Sequence, residues 1–307
     1  MTSFKFFTAH AFSIVLLSSC GPGGSKADND FDVSVAEPKL TSIKPRVCFD
    51  ESHKEHHQID KTYKPFARLI TNDGCVVKSN KAQIDKSILA ETDVYAIITP
   101  MGKEDPGDIP PFTKGEINTL ENWVLTGGSL LLITEHYPMG LSMKPLLNKF
   151  GIEVHNGYTE DTLLNNKNVA DALLFEKSKG NLNATHPICQ NIERVNTFTG
   201  SSIKGDSTCI TLLIFTNNAQ NFNVKVDVKK SGGDITTSVE YADFYSAKGY
   251  CQGLCKKYGK GKIVVLAESA LLTAQIDKNG NKFGMNIPET DNRQFALNII
   301  RWLAIKE

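Results

Sequence analysis

Histidine and carboxylate side chains gather at three points of the sequence, each directly after a mostly apolar run. They are Asp50, His53 and His57 after the first run, Glu135 and His136 after the second, and Glu268 after the third. Such groups could together bind a divalent metal such as zinc, or act as general acids and bases in a hydrolysis. The spacing selects neither, because His53 and His57 lack the glutamate of an H-E-x-x-H motif. A third interpretation is that these groups only cap helices and close strand ends.

These stretches, with the polar segment before the last predicted helix, supply three sets of candidate residues. The catalytic candidates are Glu135, His136 and Glu268. The ligand-binding candidates are Asp50, His53, Glu135, His136, Asn286, Asp291 and Asn292. The metal candidates are His53, His57 and His136, for a divalent ion such as zinc, and no other cofactor is expected.

The elements that must position these groups alternate between strands and helices. Strands are predicted at Arg46–Phe49 and in GCVVKSN, DVYAIITP, SLLLIT and GKGKIVVLAES, and helices at 59–70, at Ile84–Ala90, after Thr113 and from near Thr290 or Asp291. This order predicts an α/β fold with a doubly wound, mainly parallel sheet. CITLLIFT, FNVKVDV and TTSVEYADFY predict an added β-rich segment around 205–250. In such sheets ligands bind at the carboxyl ends of the strands, where the candidate residues fall.

The helix after Thr113 carries the clearest local signals. Thr113 and Glu116 have the spacing of a capping box, in which each side chain accepts a hydrogen bond from a backbone N–H of the other residue. Phe112 and Ile117 are placed as the matching hydrophobic staple, and Gly127 is a natural C-terminal stop. The sequence therefore predicts where this helix begins and ends.

The N-terminus predicts export and a lipid anchor. An apolar run from Phe6 to Leu17 is too short to cross a bilayer as a helix and is typical of a signal peptide. Leu17-Ser18-Ser19-Cys20 then resembles a bacterial lipobox, which implies that Cys20 is lipidated and becomes the mature N-terminus. Gly21 takes the place of the aspartate that favours inner-membrane retention. We therefore expect a protein anchored to the outer membrane and facing the periplasm.

The organisation predicted from this is a signal peptide over 1–20, a flexible glycine-bearing tether over 21–44 and an α/β domain over 45–307. Lys plus Arg equals Asp plus Glu at 34 each, so no basic surface for nucleic acid is implied. Six cysteines remain after lipidation: Cys48, Cys75, Cys189, Cys209, Cys251 and Cys255. An even count in an exported chain favours disulfides, although buried free thiols are the alternative.

Several segments resemble a group of poorly characterised bacterial proteins. These segments are FTKGEINTLENWVLTGGSLLLITEHYP, FGIEV, HPI, KYGKGKIVVLAES and MNIPETDNRQFALNIIRWLA. The resemblance spans about 45–307 and implies a flavodoxin-like fold similar to class I glutamine amidotransferases, and to domains of gliding-motility and intraflagellar-transport proteins. Those amidotransferases use a cysteine in a G-x-C-x-G elbow. No such elbow occurs here, nor a G-x-S-x-G elbow, and the comparable strand end carries Glu135-His136.

Three functions follow as expectations. The first is a non-catalytic envelope lipoprotein whose domain binds a ligand, for example a carbohydrate, or an envelope protein at the strand ends. The second is a metal-dependent hydrolase acting on envelope or imported carbohydrate, with Glu135 or Glu268 as the general base for a metal-bound water. The third is a structural module of a transport or motility assembly.

Overall fold

The computed structural model describes residues 24–101, 111–137, 139–166, 172–198, 200–231 and 234–306. Cys20 and the lipobox therefore lie outside the described residues, and the lipid anchor stays a prediction. Within the described part of the chain, no helix combines the length and apolarity needed to cross a bilayer.

The described secondary structure contains seventeen strands, five α-helices and three short 3-10 helices. The strands are β1 Lys26–Ala27, β2 Arg46–Asp50, β3 Val76–Asn80, β4 Val94–Ile98, β5 Ser129–Ile133, β6 Ile152–Val154, β7 Tyr158–Glu160, β8 Leu173–Glu176, β9 Arg194–Thr197, β10 Ile203–Gly205, β11 Ile210–Ile214, β12 Gln220–Ser231, β13 Asp234–Ser246, β14 Cys251–Tyr258, β15 Gly261–Leu266, β16 Ala274–Ile276 and β17 Lys282–Gly284. The helices are α1 Lys64–Asn72, α2 Lys86–Ala90, α3 Lys114–Leu125, α4 Met139–Lys149 and α5 Asn292–Ala304.

A nine-stranded sheet forms the centre of the fold, in the order β3-β2-β4-β5-β15-β14-β10-β6, with β11 also paired to β14. The strands from β3 to β15 in this order are mutually parallel, and β14, β10 and β6 continue the sheet with antiparallel pairing. Three smaller sheets lie beside it, including β13-β12-β7, which holds the long β12–β13 hairpin. The predicted α/β fold with a mainly parallel sheet and an added β-rich segment is confirmed.

Both faces of the sheet are covered, as a doubly wound fold requires. Leu131 and Ile133 of β5 face the layer that contains α1 and α5. Leu130 and Leu132, which alternate with them, face the layer that contains α2, α3 and α4. A strand buried on both faces must be apolar throughout, which explains the run SLLLI at β5.

The capping box of α3 is present as predicted. Thr113 Oγ1 accepts a hydrogen bond from the backbone N–H of Glu116, and the Glu116 side chain accepts one from the backbone N–H of Thr113. The helix ends before Gly127, whose φ of +120° lies in the range that favours glycine. Because the box fixes the Glu116 carboxylate, α3 also presents that group to the strand ends.

The stretch predicted as a tether contacts the domain over the residues that the structure describes. Lys26 and Ala27 pair with β16, Leu40 is fully buried, and the backbone N–H of Leu40 donates to Asp73. Apolar side chains in this stretch reach the core of the α1 and α5 layer. The glycine and aspartate content of this stretch predicts flexibility, because composition alone does not show that a few of its residues are buried.

All six cysteines of the described chain are free thiols in the structure. Cys48 lies on β2, and its partner on β3 is Lys78. Cys75 precedes β3, so the two cysteines are not cross-strand partners. Cys251 and Cys255 lie on β14, in a segment that we did not predict as a strand. Burial raises the pKa of Cys251 and Cys255 to about 12, so these thiols stay protonated and unreactive at neutral pH.

Candidate functional site

Two buried polar clusters lie at the carboxyl edge of the parallel strands. The Asp50 cluster, at the end of β2, contains Asp50, His53, Glu55 and Glu116. The Glu135 cluster, at the ends of β5 and β15, contains His57, Glu135, Glu268 and Ser269. Because β2, β4, β5 and β15 are neighbouring parallel strands, their carboxyl ends meet at one edge of the sheet.

In the Asp50 cluster, the imidazole of His53 bridges two carboxyl groups. Its Nδ1 lies 2.6 Å from Asp50 Oδ2, and its Nε2 lies 3.1 Å from Glu116 Oε1. The hydroxyl of Tyr95 donates to Asp50 Oδ1 at 3.0 Å, and the backbone N–H of His53 donates to the Glu55 carboxyl. A protonated imidazole with two donor N–H groups satisfies both of its carboxylate neighbours.

Burial and hydrogen bonds together determine which groups of this cluster are charged. Burial and the neighbouring Asp50 carboxylate raise the pKa of Glu55 to about 9, so Glu55 is neutral at pH 7 and shares its proton with Asp50. Burial opposes the charged form of His53, but the hydrogen bond and charge of Asp50, with the charge of Glu116, raise its pKa. The hydrogen bonds from His53 and Glu55 outweigh burial and lower the pKa of Asp50. The cluster is thus a proton-sharing network.

The same cluster has the donor set of a metal site. Ligand atoms of Asp50, His53 and Glu55 lie within 4.8 Å of one another. If Nδ1 of His53 bound an ion, Glu116 would hold the other ring nitrogen, as partners of metal-bound histidines do. All three residues are buried, so an ion here would have no coordination position open to solvent. A closed site of this kind is typical of structural metals, since catalytic zinc keeps an open position.

The Glu135 cluster is built around two glutamates on neighbouring strands. Ile133 of β5 pairs with Leu266 of β15, and Glu135 and Glu268 each lie two residues beyond this pair. Glu135 Oε1 accepts hydrogen bonds from the backbone N–H of Ser269 at 2.9 Å and from its hydroxyl at 3.0 Å. Glu268 accepts from the backbone N–H groups of Ala270 and Leu271 at 2.6 and 2.9 Å.

Burial sets the protonation of this cluster. It raises the pKa of Glu135, and together with the Glu135 charge it raises the pKa of Glu268 well above its ordinary value. Two carboxylates this deep in the domain repel each other, which favours a proton on the pair. Burial, with a smaller contribution from the charge of His56, lowers the pKa of His57 to about 3.

Ser269 and His57 form a serine–histidine contact without the properties of a catalytic pair. His57 Nε2 lies 3.1 Å from Ser269 Oγ, but its Nδ1 lies 2.6 Å from the hydroxyl of Thr62 and not from a carboxylate. A base with a pKa of about 3 takes up a proton poorly at neutral pH. Both side chains are buried, so a substrate does not reach them in this conformation.

The segment after β2 joins the two clusters by crossing the end of β4. Glu55 forms an antiparallel bridge with Pro100, and the backbone N–H of His56 donates to the Thr99 carbonyl at 3.1 Å. Thr99 has a φ of +46°, which is rare for a β-branched residue and costs about 1–3 kcal/mol. Strain of this kind often accompanies a functional site.

Two buried polar atoms near the Glu135 cluster have no hydrogen-bond partner among the described residues. One is Thr99 Oγ1, on the residue whose backbone N–H donates to the Ile133 carbonyl. The other is Gln252 Nε2, on the residue whose carbonyl accepts from the backbone N–H of Ala267. An unpaired buried polar atom costs about 1–3 kcal/mol, so these atoms lower the stability of this part of the domain.

The predicted site residues fall into two groups. Asp50 and His53 share one cluster, and His57, Glu135 and Glu268 share the other, with His136 beside it, its Nε2 3.6 Å from Glu135 Oε2. The metal candidates His53 and His57 thus lie in different clusters. Asn286 donates to Asp28, and Asp291 accepts from the backbone N–H groups of Glu193 and Arg194. Asn292 bonds the Asn196 backbone and donates to the carbonyl of Leu271, whose own N–H donates to Glu268.

Three residues of the clusters were missing from the predicted site. Glu55 and Ser269 lie within two residues of predicted ones, in the same polar stretches, but nothing in their spacing separates them from loop residues. Glu116 was assigned to the capping box alone. Its second contact, with His53 sixty-three residues earlier in the sequence, depends on the packing of α3 against the sheet.

No family model matches the chain, and no curated protein matches its sequence. Among solved structures, one described as "mmIFT52 N-terminal domain" has a TM-score of 0.57 at 15% identity and covers 85% of this chain and 98% of that chain. A ThuA-like protein from Bacteroides uniformis gives 0.43 at 13% identity, over 84% and 90% of the two chains. A glutamine amidotransferase from Thermotoga maritima gives 0.39 at 13%, over 73% and 74%. The first likeness concerns fold alone and agrees with the intraflagellar-transport part of the predicted resemblance.

Proposed function

We propose that this protein is a membrane-anchored lipoprotein of the cell envelope whose α/β domain binds a ligand at the carboxyl edge of the sheet without transforming it. One observation carries the proposal. The strand end where this fold class would hold a nucleophile carries Glu135, and the Ser269–His57 contact beside it is buried and has a base of very low pKa.

Binding at this edge is supported by its rim. His56, His136 and Tyr137 lie partly exposed next to the buried cluster. Burial disfavours the charged forms of Glu135, Glu268 and His57, so the site favours an uncharged, hydrogen-bonding ligand over an ion.

The anchor rests on the sequence of the first twenty residues. The apolar run from Phe6 to Leu17, followed by Leu17-Ser18-Ser19-Cys20, supports lipidation of Cys20. Several acyl chains on one cysteine would hold the domain at a bilayer, because each buried CH₂ contributes about 0.8 kcal/mol. Absence of an aspartate after Cys20 favours the outer membrane and a domain in the periplasm.

A direct test measures hydrolysis by the purified mature chain with p-nitrophenyl acetate, glutamine and p-nitrophenyl glycosides. We expect rates equal to those without protein, and no difference between the wild type and Glu135→Ala. Enzyme-like hydrolysis of any of these substrates that Glu135→Ala abolishes would refute the binding-only proposal.

A metal-dependent hydrolase is the second candidate, and the arrangement of Asp50, His53 and Glu55 is the observation that favours it. This ligand set differs from the predicted one of His53, His57 and His136. Its burial argues for an ion that stabilises the fold more than for one that activates water, because water activation needs an open position on the metal.

A further inference from the structure

The three-stranded sheet β13-β12-β7 carries two cross-strand rows on one face. Phe222 of β12 pairs with Phe244 of β13 and with Tyr158 of β7, which gives an aromatic row. Gln220 pairs with Ser246 and with Glu160, which gives a polar row. The rows are two residues apart on every strand, so their side chains share one face.

The aromatic row is a continuous platform. The rings of Tyr158 and Phe222 have centroids 6.1 Å apart, and those of Phe222 and Phe244 are 5.5 Å apart, with interplanar angles of 41° and 43°. Phe244 is 61% exposed, the largest exposure of any large apolar side chain in the described part of the chain. An aromatic ring held in place by a neighbouring ring, yet open to solvent, is a common feature of binding surfaces.

A surface cleft of about 510 Å³ lies where the polar row meets the turn before β12. Its lining includes Phe244 and the polar row, together with the exposed amide side chains of Asn217 and Asn218. The volume is within the range of small-molecule sites. Among the described residues that line the cleft, Glu160 is the single charged side chain.

Hydrogen bonds to Asp161 hold the turn that carries Asn217 and Asn218. The buried carboxylate of Asp161 accepts hydrogen bonds from the backbone N–H and the hydroxyl of Thr216, at 2.7 and 2.8 Å. The hydroxyl of Thr216 in turn accepts from the backbone N–H of Asn218 at 3.1 Å. These bonds fix the position of both asparagines relative to the sheet.

A strained β-bulge fixes the other side of the cleft. The register of the hairpin shifts after Phe222, and Asp243 is the extra residue, with a φ of +38°. A non-glycine residue in this conformation costs free energy, and bulges commonly redirect a strand beside a functional surface. Lys225 Nζ lies 3.1 Å from Asp243 Oδ2 and neutralises that carboxylate. The exposed Phe244 therefore follows a residue whose charge is paired.

We propose that this cleft is a saccharide-binding site. An uncharged sugar presents an apolar ring face, which fits the Phe244 ring, and a rim of hydroxyls, which both donate to and accept from the amides of Asn217, Asn218 and Gln220. Glu160 accepts hydroxyl hydrogen bonds at the same rim. An anionic ligand is disfavoured, since the described residues that line the cleft supply a carboxylate and no cation.

This site is separate from the carboxyl-edge clusters, so its test does not depend on the proposed function above. Isothermal titration calorimetry of the mature chain with cellohexaose, maltohexaose and chitohexaose is the experiment. We expect at least one hexasaccharide to bind with a micromolar to millimolar Kd. Phe244→Ala should weaken that binding about tenfold or more, which corresponds to about 1.4 kcal/mol.

Two further variants distinguish a site from a general effect on the hairpin. Asn218→Ala should also weaken binding, by loss of a hydrogen bond, whereas Val226→Ala, at an exposed apolar position of the same hairpin and outside the cleft, should not. Circular dichroism confirms that each variant folds. The proposal is overturned if none of the three sugars gives a heat of binding at millimolar concentration. It is also overturned if Phe244→Ala leaves the binding unchanged.

Discussion

His53 Nδ1 lies 2.6 Å from Asp50 Oδ2, and the two groups form the centre of a buried network in which three carboxyl groups surround one imidazole. Such a network is stable only when protons neutralise most of its charge, because isolated charges are costly in a low-dielectric interior. Glu55 carries the proton that completes it. The protonation of these residues is therefore part of the stability of the strand end.

Glu55 should make the protein less stable as the pH rises. Its pKa is about 9 in the folded chain and 4.5 when unperturbed, so between these values the folded state binds more protons than the unfolded state. Because the folded state then holds up to one more proton than the unfolded state, each unit of pH increase lowers the free energy of unfolding by at most about 1.4 kcal/mol. Glu55→Gln keeps a donor toward Asp50 and cannot ionise, so it should flatten this decline, measured by urea unfolding across the window.

Glu91→Gln is the matched control for that experiment, because the Glu91 side chain is 75% exposed. We expect it to follow the wild-type pH profile. If Glu55→Gln and the wild type lose stability with the same slope between pH 4.5 and about 9, then Glu55 is not protonated in the folded chain.

The capping box of α3 should matter more than an ordinary helix cap. Thr113→Ala removes the acceptor for the Glu116 backbone N–H and the hydroxyl that donates to Glu116 Oε2 at 2.8 Å. Loss of a cap costs about 0.5–2 kcal/mol, and release of Glu116 also weakens its contact with His53. We expect a loss at the upper end of that range from chemical denaturation. Thr126→Ala, at the exposed end of the same helix, should cost less, and equal losses would show that Glu116 is not held by the box.

The local and the long-range parts of this structure differ in how far they can be predicted from sequence. The helix α3 and strand β5 are encoded by neighbours in the sequence, the capping box and the run SLLLI, and both were predicted. The strand β14 was missed, because CQGLCKKY contains glycine and lysine and its burial comes from β11 and β15 on either side. Residues 24–44 were misjudged for the same reason, since their few buried side chains meet partners distant in sequence.

The candidate site divides in the same way. Parallel strand order brings the ends of β2, β5 and β15 to one edge, and that placement of Asp50, Glu135 and Glu268 could be predicted from alternation alone. The contacts between individual histidines and carboxylates could not be predicted in this way. His53 turns back to Asp50 and Glu116, whereas His57, four residues later, crosses β4 and contacts Ser269.

Zinc should not bind stoichiometrically to the Asp50 cluster at neutral pH. An ion would have to displace the proton of Glu55 and the hydrogen bond between His53 Nδ1 and Asp50, and it would have to be dehydrated in a buried site. We expect elemental analysis of chain purified without chelator to give far less than one zinc per molecule. Added zinc should leave the Tm of the wild type and of Glu55→Ala unchanged. One zinc per chain, lost in Glu55→Ala, would contradict this expectation and would identify the Asp50 cluster as a structural metal site.

Labelling of bacteria that express the full chain with radioactive palmitate should mark the protein through Cys20. The lipobox resemblance predicts that the acyl chains attach to this cysteine, so Cys20→Ala should abolish the label and release the domain from the membrane fraction. Cys209 is the matched control, because it is the one cysteine of the described chain that is not fully buried. Cys209→Ala should keep the label and the membrane association. Label that persists in Cys20→Ala, or a wild-type chain found entirely in the soluble periplasmic fraction, would refute the anchor.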